Sequence, residues 1–459
     1  MFKKVFIANR GEIALRVIRS CRELGLRTVI GFSEADRDSI PVRLADEKIC
    51  IGPPSPKESY LNIPAVVSAI EITRADAVHP GYGFLAENIP FVEICGASRI
   101  VFIGPSVRNI QIMGDKALAR KTAKSFRVPV IPGYEESDYK NGLHHARKLG
   151  FPVIIKASAG GGGRGMRRVN NIDEFQQLWY TCQEEARSSF GEGALYLEKF
   201  LERPRHIEIQ LVGDRKGNVI VFPERDCSIQ RRHQKLIEES PSPFVDWKLR
   251  KKLYRYAYRL ARKINYKSAG TIEFLVDSDG NPYFMEMNTR IQVEHPVTEL
   301  VSGYDLVKSQ ILVAQGERLG IGQKEVKLNG HAIECRINAE DPSNNFMPSP
   351  GKVEKLVLPG GPGIRVDTHI HEGYAIPPYY DSLVMKLIAY GSNRQEAIER
   401  MRRALDEIVI EGIRTTIPLY RKILAHPIFL SGRYSVKWLE NFLESEAEKG
   451  VLPKNSVSG

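Results

Sequence analysis

The sequence of 459 residues lacks any cysteine pattern that would form a zinc site or a disulfide framework. The six cysteines include no Cys-x-x-Cys pair and are Cys21, Cys50, Cys95, Cys182, Cys227 and Cys335. Scattered cysteines of this kind are typical of a reducing compartment. No apolar run approaches the roughly 20 residues of a membrane span, and the N-terminus lacks the apolar core and cleavage site of a signal peptide. We therefore expect a cytoplasmic protein that does not enter a membrane.

Two common nucleotide-binding loops are also absent. The turn after the first predicted strand, Asn9-Arg10-Gly11-Glu12, lacks the Gly-x-Gly-x-x-Gly pattern of dinucleotide-binding folds. The four consecutive glycines at 160–163 are not followed by Gly-Lys-Ser/Thr, which excludes a P-loop. Nucleotide binding, if present, must use another arrangement.

Acidic residues are outnumbered: the formal net charge is +11, which suits a phosphorylated substrate or a polyanionic partner. The densest cationic segment, residues 248–264, interleaves aromatic and basic side chains as a nucleic-acid site would. Its apolar residues nevertheless recur at helical spacing, which predicts an amphipathic helix with solvated cations. That stripe consists of Leu249, Leu253, Tyr256, Ala257, Leu260, Ala261 and Ile264. A basic nucleic-acid-binding protein remains the alternative, and it predicts salt-sensitive DNA or RNA binding.

Strands and helices alternate over the first hundred residues. Strands are predicted at residues 4–8, 27–32, 77–79 and 100–103, and helices at 12–24 and 62–70. This alternation predicts a doubly wound parallel sheet of the α/β class. Residues 115–330 mix strands, hairpins and glycine-rich loops, and the chain from 331 onward shows antiparallel strands followed by helices.

A predicted hairpin at residues 271–287 places two carboxylates opposite each other. Asp279-Gly280 is a strong signal for a two-residue type I′ turn. In that register Glu273 faces Glu286, and like charges directly opposite destabilise a sheet. A divalent cation between them would relieve this repulsion, and Asn288 on the same face adds a third oxygen ligand suited to Mg²⁺. A solvated hairpin face is the alternative.

Three further segments suit phosphates and anions. Lys156 ends an apolar strand just before the glycine run, where backbone N–H groups can converge on phosphate oxygens. The segment 225–235 holds several cations and His233, which suits an anionic ligand. Arg290, Gln292 and Glu294 alternate and would share one side of an extended segment, forming an anion pocket with a built-in base. Arg336, on another alternating strand, could reach the same pocket.

Taken together, these segments closely resemble the biotin carboxylases of the ATP-grasp family, along nearly the whole chain. The motifs that carry the resemblance are His79-Pro-Gly-Tyr-Gly-Phe84, Met113-Gly-Asp-Lys116, Lys156 with its glycine loop, residues 225–235, residues 286–299 and Pro377-Pro-Tyr-Tyr-Asp-Ser382. The resemblance implies an N-terminal doubly wound domain at 1–114 and a central ATP-grasp domain at 115–330. It also implies a mobile lid at about 131–200 and a C-terminal α+β domain at 331–447.

The resemblance also implies a site. ATP would be held by Lys116, Lys156, Gly162, Gly163, Glu198, Lys199, Leu201, His206, Gln230, His233 and Glu273. Two Mg²⁺ or Mn²⁺ ions would bind Glu273, Glu286 and Asn288. Bicarbonate would contact Lys235, Arg290, Gln292 and the Val293 backbone, with Glu294 as the base. Arg290 and Arg336 would stabilise the developing anions, and Tyr82 and Arg336 would seat biotin.

By the same resemblance, biotin arrives on a separate biotin carboxyl carrier protein and a carboxyltransferase subunit completes the reaction. Met385-Lys386 only partly matches the Met-Lys-Met attachment site for biotin and is expected to be an ordinary strand segment. A homodimer is implied, with Arg19, Glu23 and Arg365 at its interface, although Pro362 stands where the family often has an aromatic residue. The final carboxyl acceptor stays open between acetyl-CoA, another acyl-CoA, pyruvate and another oxo-acid. Other ATP-grasp ligases, of the carbamoyl-phosphate or purine-pathway kind, remain the enzymatic alternative.

Overall fold

The structure, a computed structural model, describes residues 1–157, 167–190 and 194–448. The N-terminal part is a parallel sheet of order β3-β2-β1-β4-β5, as the strand–helix alternation predicted. Its elements are β1 (Lys4–Ile7), α1 (Gly11–Glu23), β2 (Arg27–Ser33), α2 (Ile40–Leu44), β3 (Glu47–Gly52), α3 (Ile63–Ile72), β4 (Ala77–His79), α4 (Ile89–Ala97), β5 (Val101–Phe102), α5 (Val107–Gly114) and α6 (Lys116–Ser125).

Consecutive residues of the central strand β1 enter different cores. Val5 and Ile7 pack with α1 in one core, whereas Phe6 packs with α3 and α4 in the other. Side chains of a strand alternate between its two faces, so helices cover both faces of the sheet. The predicted doubly wound fold is therefore confirmed. The edge strand β3 was missed because only its Ile51 is fully buried and its apolar pattern is short.

A second sheet has the antiparallel order β6-β9-β7-β8 and a core of its own. Its elements are β6 (Gly133–Glu136), α7 (Tyr139–Leu149), β7 (Val153–Ala157), β8 (Arg167–Val169), α8 (Ile172–Phe190) and β9 (Leu195–Lys199). Trp179 of α8 is fully buried against α7, where a Cβ on Gly142 would lie 2.4 Å from the indole ring. Only glycine fits at that contact. This sheet lies within the segment that the resemblance predicts to be the lid.

A large sheet of nine strands has the order β15-β14-β10-β12-β13-β16-β23-β21, with β11 paired to β10. The elements before residue 330 are β10 (Arg205–Gly213), β11 (Val219–Val221), β12 (Arg225–Arg231), β13 (Gln234–Ser240), α9 (Trp247–Lys263), β14 (Ser268–Val276), β15 (Pro282–Asn288), α10 (His295–Ser302) and α11 (Leu306–Gln315). β13 pairs with β16, so one sheet continues across the predicted boundary at residue 330.

The C-terminal part adds antiparallel strands and terminal helices, as its turn-rich pattern predicted. Its elements are β16 (His331–Asn338), β17 (Glu340–Asp341), β18 (Met347–Pro348), β19 (Gly351–Lys352), β20 (Lys355–Val357), β21 (Ile364–Thr368), β22 (Ala375–Ile376), β23 (Leu383–Gly391), α12 (Arg394–Glu407), β24 (Val409–Glu411), α13 (Ile417–Ala425), α14 (Pro427–Leu430) and α15 (Trp438–Glu448). Among the described residues, no helix is both long and apolar enough to cross a membrane.

The hairpin of β14 and β15 has the predicted register at Glu273 and Glu286, but the predicted two-residue turn is wrong. The Asp277 N–H donates to the Asn281 carbonyl, and Gly280 has φ +77°, which is a three-residue loop ending in a left-handed glycine. This loop shifts the pairing by one residue. A β-bulge between the Phe274 and Glu273 pairs shifts it back. The extra loop residue and the β-bulge therefore cancel, and Glu273 still pairs with Glu286.

Helix α9 buries the predicted apolar stripe, and its cations face outward. Leu249, Leu253, Ala257, Leu260 and Ala261 are buried against β10 and β11, whereas Tyr256 is only half buried. The exposed cations of this helix are Lys248, Lys251, Arg255, Arg262 and Lys263. The packing accounts for the apolar stripe of α9, whereas Trp247 and Tyr258 are exposed beside the cations.

We expect Leu253→Ala to lower the free energy of unfolding by about 2–5 kcal/mol, because it removes buried atoms and leaves a cavity under α9. Lys251→Ala on the exposed face is the matched control and should change stability by less than about 0.5 kcal/mol. Urea unfolding of the two variants measures both values. Equal effects would contradict the assigned orientation of the helix.

Candidate active site

Four charged residues form a row across neighbouring strands of the large sheet. Arg225 of β12 pairs with Glu208 of β10, Glu208 with Glu273 of β14, and Glu273 with Glu286 of β15. Direct cross-strand partners project to the same face and lie about 5 Å apart. The fold therefore brings three carboxylates side by side, with a guanidinium at one end of the row.

Arg225 and Lys235 compensate the inner carboxylate, Glu208. Arg225 is fully buried, and its Nε and Nη2 donate to Glu208 Oε2 at 3.1 and 3.0 Å. Lys235 Nζ also donates to Glu208. Burial alone would raise the pKa of Glu208, but the charges of Lys235 and Arg225 hold it well below its usual value. Arg225 Nη2 also donates to Gln292 Oε1 at 2.7 Å, which ties this pair to the predicted anion pocket.

Lys235 is the point where the three buried glutamates converge. Besides Glu208, its Nζ contacts Glu273 Oε1 at 3.0 Å and Glu294 Oε1 at 2.8 Å. Burial lowers the pKa of Lys235, but the three carboxylates outweigh that effect and raise it well above its ordinary value. Lys235 is therefore a permanent cation in this site.

Glu294 is held ionised at the centre of the pocket. Its Oε2 accepts from Arg336 Nη2 at 2.7 Å, and Lys235 holds the other oxygen. Burial raises the pKa of Glu294, but Lys235 and Arg336 outweigh burial and the neighbouring carboxylates, so the net shift is downward. Arg336 Nε also donates to Glu238 Oε1 at 2.6 Å. Burial raises the pKa of Glu238 to about 7, so its ionisation is balanced near neutrality.

The segment that carries Arg290, Gln292 and Glu294 is not extended, contrary to the prediction. It bends and turns between β15 and α10. Its side chains converge all the same: Gln292 Nε2 donates to Glu273 Oε1 at 2.8 Å, and Arg290 Nη2 donates to Asn288 Oδ1 at 3.0 Å. The turn, rather than strand alternation, brings these groups together.

The residues predicted to bind metal offer a donor set that suits Mg²⁺ or Mn²⁺. Glu273 and Glu286 face each other in register, and Asn288 Nδ2 lies 2.8 Å from Glu273 Oε1. Glu286 is partly exposed and contacts Lys116 Nζ at 3.1 Å, so its carboxylate is open to the outer side of the row. Carboxylate and amide oxygens are the ligands that these hard cations prefer. His206 Nε2 adds a contact of 3.0 Å to Glu273 Oε2 from the inner side.

The predicted ATP residues fall into groups. Lys156 of β7 contacts Glu198 of β9 at 2.9 Å between Nζ and Oε2, while Lys199 Nζ donates to the Gly150 carbonyl. Leu201 follows β9 and is half buried. Gln230 is buried at the end of β12, and His233 is exposed in the β12–β13 turn with φ +66°. Residues 225–235 are thus a strand and a tight turn rather than the predicted loop. Gly162 and Gly163 lie outside the described residues.

Other predicted residues lie around this centre. Tyr82 donates its hydroxyl proton to Glu12, whose Oε2 contacts Lys386 Nζ at 2.9 Å. Lys386 lies on strand β23, as expected, and is fully buried. Among the predicted interface residues, Arg19 is exposed, Glu23 pairs with Lys308, and Arg365 contacts Glu299 and Asp367 at 2.8 and 2.7 Å.

Sequence reasoning missed four residues of the site. These are Glu87, Glu208, Arg225 as a buried partner, and Glu238. Glu208 had a signal, since His206, Glu208 and Gln210 alternate with apolar residues along one strand. Glu87 had none: its Oε2 accepts from Arg290 Nε at 2.9 Å across more than 200 residues.

Comparisons with known proteins identify the family of this chain. Three family profiles match consecutive parts of the chain: the biotin carboxylase N-terminal domain at 1–110, the ATP-binding domain of the carbamoyl-phosphate synthase L chain at 115–321, and the biotin carboxylase C-terminal domain at 334–441. A biotin carboxylase of Nostoc sp. is 54% identical over 96% of this chain and 99% of its own length. A pyruvate carboxylase subunit of Methanothermobacter thermautotrophicus is 51% identical over 98% of this chain and 93% of its own length.

A solved structure has the same fold. It is the biotin carboxylase domain dimer of the Hydrogenobacter thermophilus 2-oxoglutarate carboxylase, in complex with MgADP, ADP and bicarbonate. It is 47% identical, has a TM-score of 0.86, and the match covers 97% of this chain and 98% of that one. Identity at this level along almost the whole length, on the fold and charge arrangement described above, leaves one assignment: the chain belongs to the biotin carboxylase family of ATP-dependent, ATP-grasp ligases.

Proposed function

We propose that this chain carboxylates biotin that is carried on a separate biotin carboxyl carrier protein, at the expense of ATP and bicarbonate. The observation that carries the proposal is the ionised Glu294, held between Lys235 and Arg336 in the segment that also carries Arg290 and Val293. A carboxylate held ionised in this place can accept a proton from a ligand that enters the pocket. Bicarbonate is such a ligand, because it is an anion that carries a proton.

In the proposed reaction, Glu294 removes the bicarbonate proton, and a bicarbonate oxygen attacks the γ-phosphorus of ATP as ADP leaves. The carboxyphosphate formed breaks down to CO₂ and phosphate, the phosphate takes the N1 proton of biotin, and N1 bonds to CO₂. Lys235, Arg290 and Arg336 stabilise the anions as they develop, since their charges are already in place before the ligands bind. Gln292 and Val293 orient bicarbonate, and Tyr82 with Arg336 seats biotin.

For the nucleotide, we propose that Lys116, Lys156, Gly162, Gly163, Glu198, Lys199, Leu201, His206, Gln230, His233 and Glu273 bind ATP. Glu273, Glu286 and Asn288 would hold two Mg²⁺ or Mn²⁺ ions, which neutralise phosphate charge when bound. The open outer side of Glu286 and its in-register pairing with Glu273 support this assignment. The segment 131–200 acts as the lid in this proposal, and domains of 1–114, 115–330 and 331–447 remain the expected division.

The proposed partners are the biotin carboxyl carrier protein, a carboxyltransferase and a second copy of this chain. Relatives include a biotin carboxylase and a pyruvate carboxylase component, and one solved neighbour is a dimer. The exposure of Arg19 and Glu23 is consistent with an interface there, although Arg365 is engaged within the chain. The acceptor could be acetyl-CoA, another acyl-CoA, pyruvate or another oxo-acid. The carrier and transferase that co-purify with the chain would identify it.

The reaction is tested by ADP release and carboxybiotin formation, with bicarbonate and free biotin each omitted in turn. We expect ADP release to require bicarbonate and to rise with biotin. Glu294→Gln should lower kcat by about 10²-fold or more while the KM for ATP changes less than about twofold, because only the base is lost. Glu317→Gln, on an exposed loop, is the control. ADP release that is indifferent to bicarbonate, or weak ATP binding by Glu294→Gln, would contradict the proposal.

The metal assignment is tested with Glu286→Gln. This change replaces a charged carboxylate by a neutral amide, which binds a metal ion more weakly. We therefore expect the Mg²⁺ concentration for half-maximal activity to rise by about tenfold or more. Asp279→Asn changes an exposed acid in the turn of the same hairpin and should leave the Mg²⁺ requirement unchanged. A metal titration of ADP release provides the measurement. An unaltered requirement in Glu286→Gln would remove this residue from the metal site.

A further inference from the structure

Two side chains, His295 and Lys386, contact backbone carbonyl oxygens of the 292–294 turn. His295 Nδ1 lies 2.8 Å from the Gln292 carbonyl oxygen, and the His295 N–H donates to the same oxygen at 3.3 Å. Lys386 Nζ donates to the Val293 carbonyl oxygen at 2.9 Å. Within residues 1–157, 167–190 and 194–448, the Val293 N–H has no acceptor. The Gln292 and Val293 carbonyls are thus occupied, while the Val293 amide is left free.

The His295 contact fixes one tautomer of the imidazole. A carbonyl oxygen can only accept, so Nδ1 must carry the proton and donate it. His295 is fully buried, and Nε2 has no hydrogen-bond partner among the described residues, with Glu299 Oε2 at 3.9 Å. Burial and the charges of Lys386, Arg16 and Arg365 lower the pKa of His295 well below its usual value. The ring is therefore neutral and keeps its proton on Nδ1.

The Lys386 side chain, which donates to the Val293 carbonyl, is also held in a fixed position. The side chain is fully buried, and its charge is balanced by Glu12 Oε2 at 2.9 Å and by Asp367 Oδ2 at 3.8 Å. Its strand neighbour across the sheet is Arg336. Glu12 in turn accepts the hydroxyl proton of Tyr82. Lys386 therefore links the Val293 carbonyl to Glu12 in the N-terminal part of the chain. The Lys386 and Glu12 side chains carry opposite charges, and both are buried.

From these contacts we propose that His295 and Lys386 are positioning residues that fix the Gln292-Val293-Glu294 backbone so that the Val293 N–H points at bicarbonate. In a trans peptide, the Gln292 carbonyl and the Val293 N–H point in opposite directions. Holding that carbonyl on His295 therefore aims the amide into the pocket. Lys386 holds the next peptide, which carries the Glu294 N–H at the N-terminal end of α10. The inference rests on the proposed function, because it concerns the bicarbonate of that reaction.

The first test compares His295→Leu with His295→Asn. Leucine removes the donor, whereas the asparagine amide can place an N–H where Nδ1 was. We expect His295→Leu to raise the KM for bicarbonate about tenfold or more, since a misdirected amide no longer binds an anion. The KM for ATP should stay within about twofold. His295→Asn should restore the bicarbonate KM to within about threefold of the wild-type value. A wild-type bicarbonate KM in the leucine variant, or a tenfold rise in the asparagine variant, would overturn the proposal.

The second test uses Lys386→Met and the double variant Lys386→Met/Glu12→Gln. The single change leaves the Glu12 carboxylate buried without its cation, and this unpaired charge by itself lowers the stability of the protein. The double change also removes the charge of Glu12. If Lys386 positions the turn, the double variant keeps a bicarbonate KM raised about tenfold although its unfolding temperature recovers. Recovery of the bicarbonate KM together with stability would assign Lys386 a purely structural role. Should the wild-type enzyme itself release ADP without bicarbonate, the proposed function fails instead.

Discussion

The site depends on the repulsion among three carboxylates that the sheet holds side by side. Glu208, Glu273 and Glu286 are direct cross-strand partners on β10, β14 and β15, so the strand pairing itself holds them side by side. Arg225 and Lys235 neutralise the inner end, and His206 approaches the middle. Burial opposes protonation of His206, but the contacts with Glu273 and Glu208 outweigh it and raise the pKa of His206 to about 9. The outer end at Glu286 is partly exposed and contacts the exposed Lys116, so it is the part of the row most open to a cation from solution.

This division of charge explains how one site can receive two anions. The inner cations are committed to glutamates, so they are held in fixed positions before any ligand arrives. Lys235 joins the carboxylate row to Glu294, and Arg336 joins Glu294 to Glu238. Glu294, the proposed base, is thereby kept ionised in a buried place, where an unpaired carboxylate would take up a proton. In the proposed function, anionic ligands exchange contacts with these cations, so that no new charge has to be buried alone.

Some parts of this arrangement were predictable from the sequence and others were not. The parallel sheet and the buried stripe of α9 follow from local periodicity, and both were predicted correctly. The pairing of Glu273 with Glu286 was predicted through a turn that is wrong, and a β-bulge restores the register. A bulge is a single extra residue whose position depends on packing, and no short sequence motif indicates it.

The partners of the predicted residues were the hardest to predict. Arg225 was predicted to be one of several cations in a loop, whereas strand order places it beside Glu208 in the core. Strand order depends on contacts between residues far apart in the chain, which periodicity does not report. The predicted extended conformation of residues 290–294 failed for a similar reason: Lys386 and His295 hold the turn, and the lysine lies on a strand almost a hundred residues away.

The carboxylate row is tolerated because Arg225 and Glu208 compensate each other in the core. A double-mutant cycle of Arg225→Met and Glu208→Gln, measured by urea unfolding without ligands, tests this directly. We expect each single variant to be strongly destabilised and the double variant to be less so than the sum, with a coupling of about 2 kcal/mol or more. Additive effects, with a coupling near zero, would contradict this compensation.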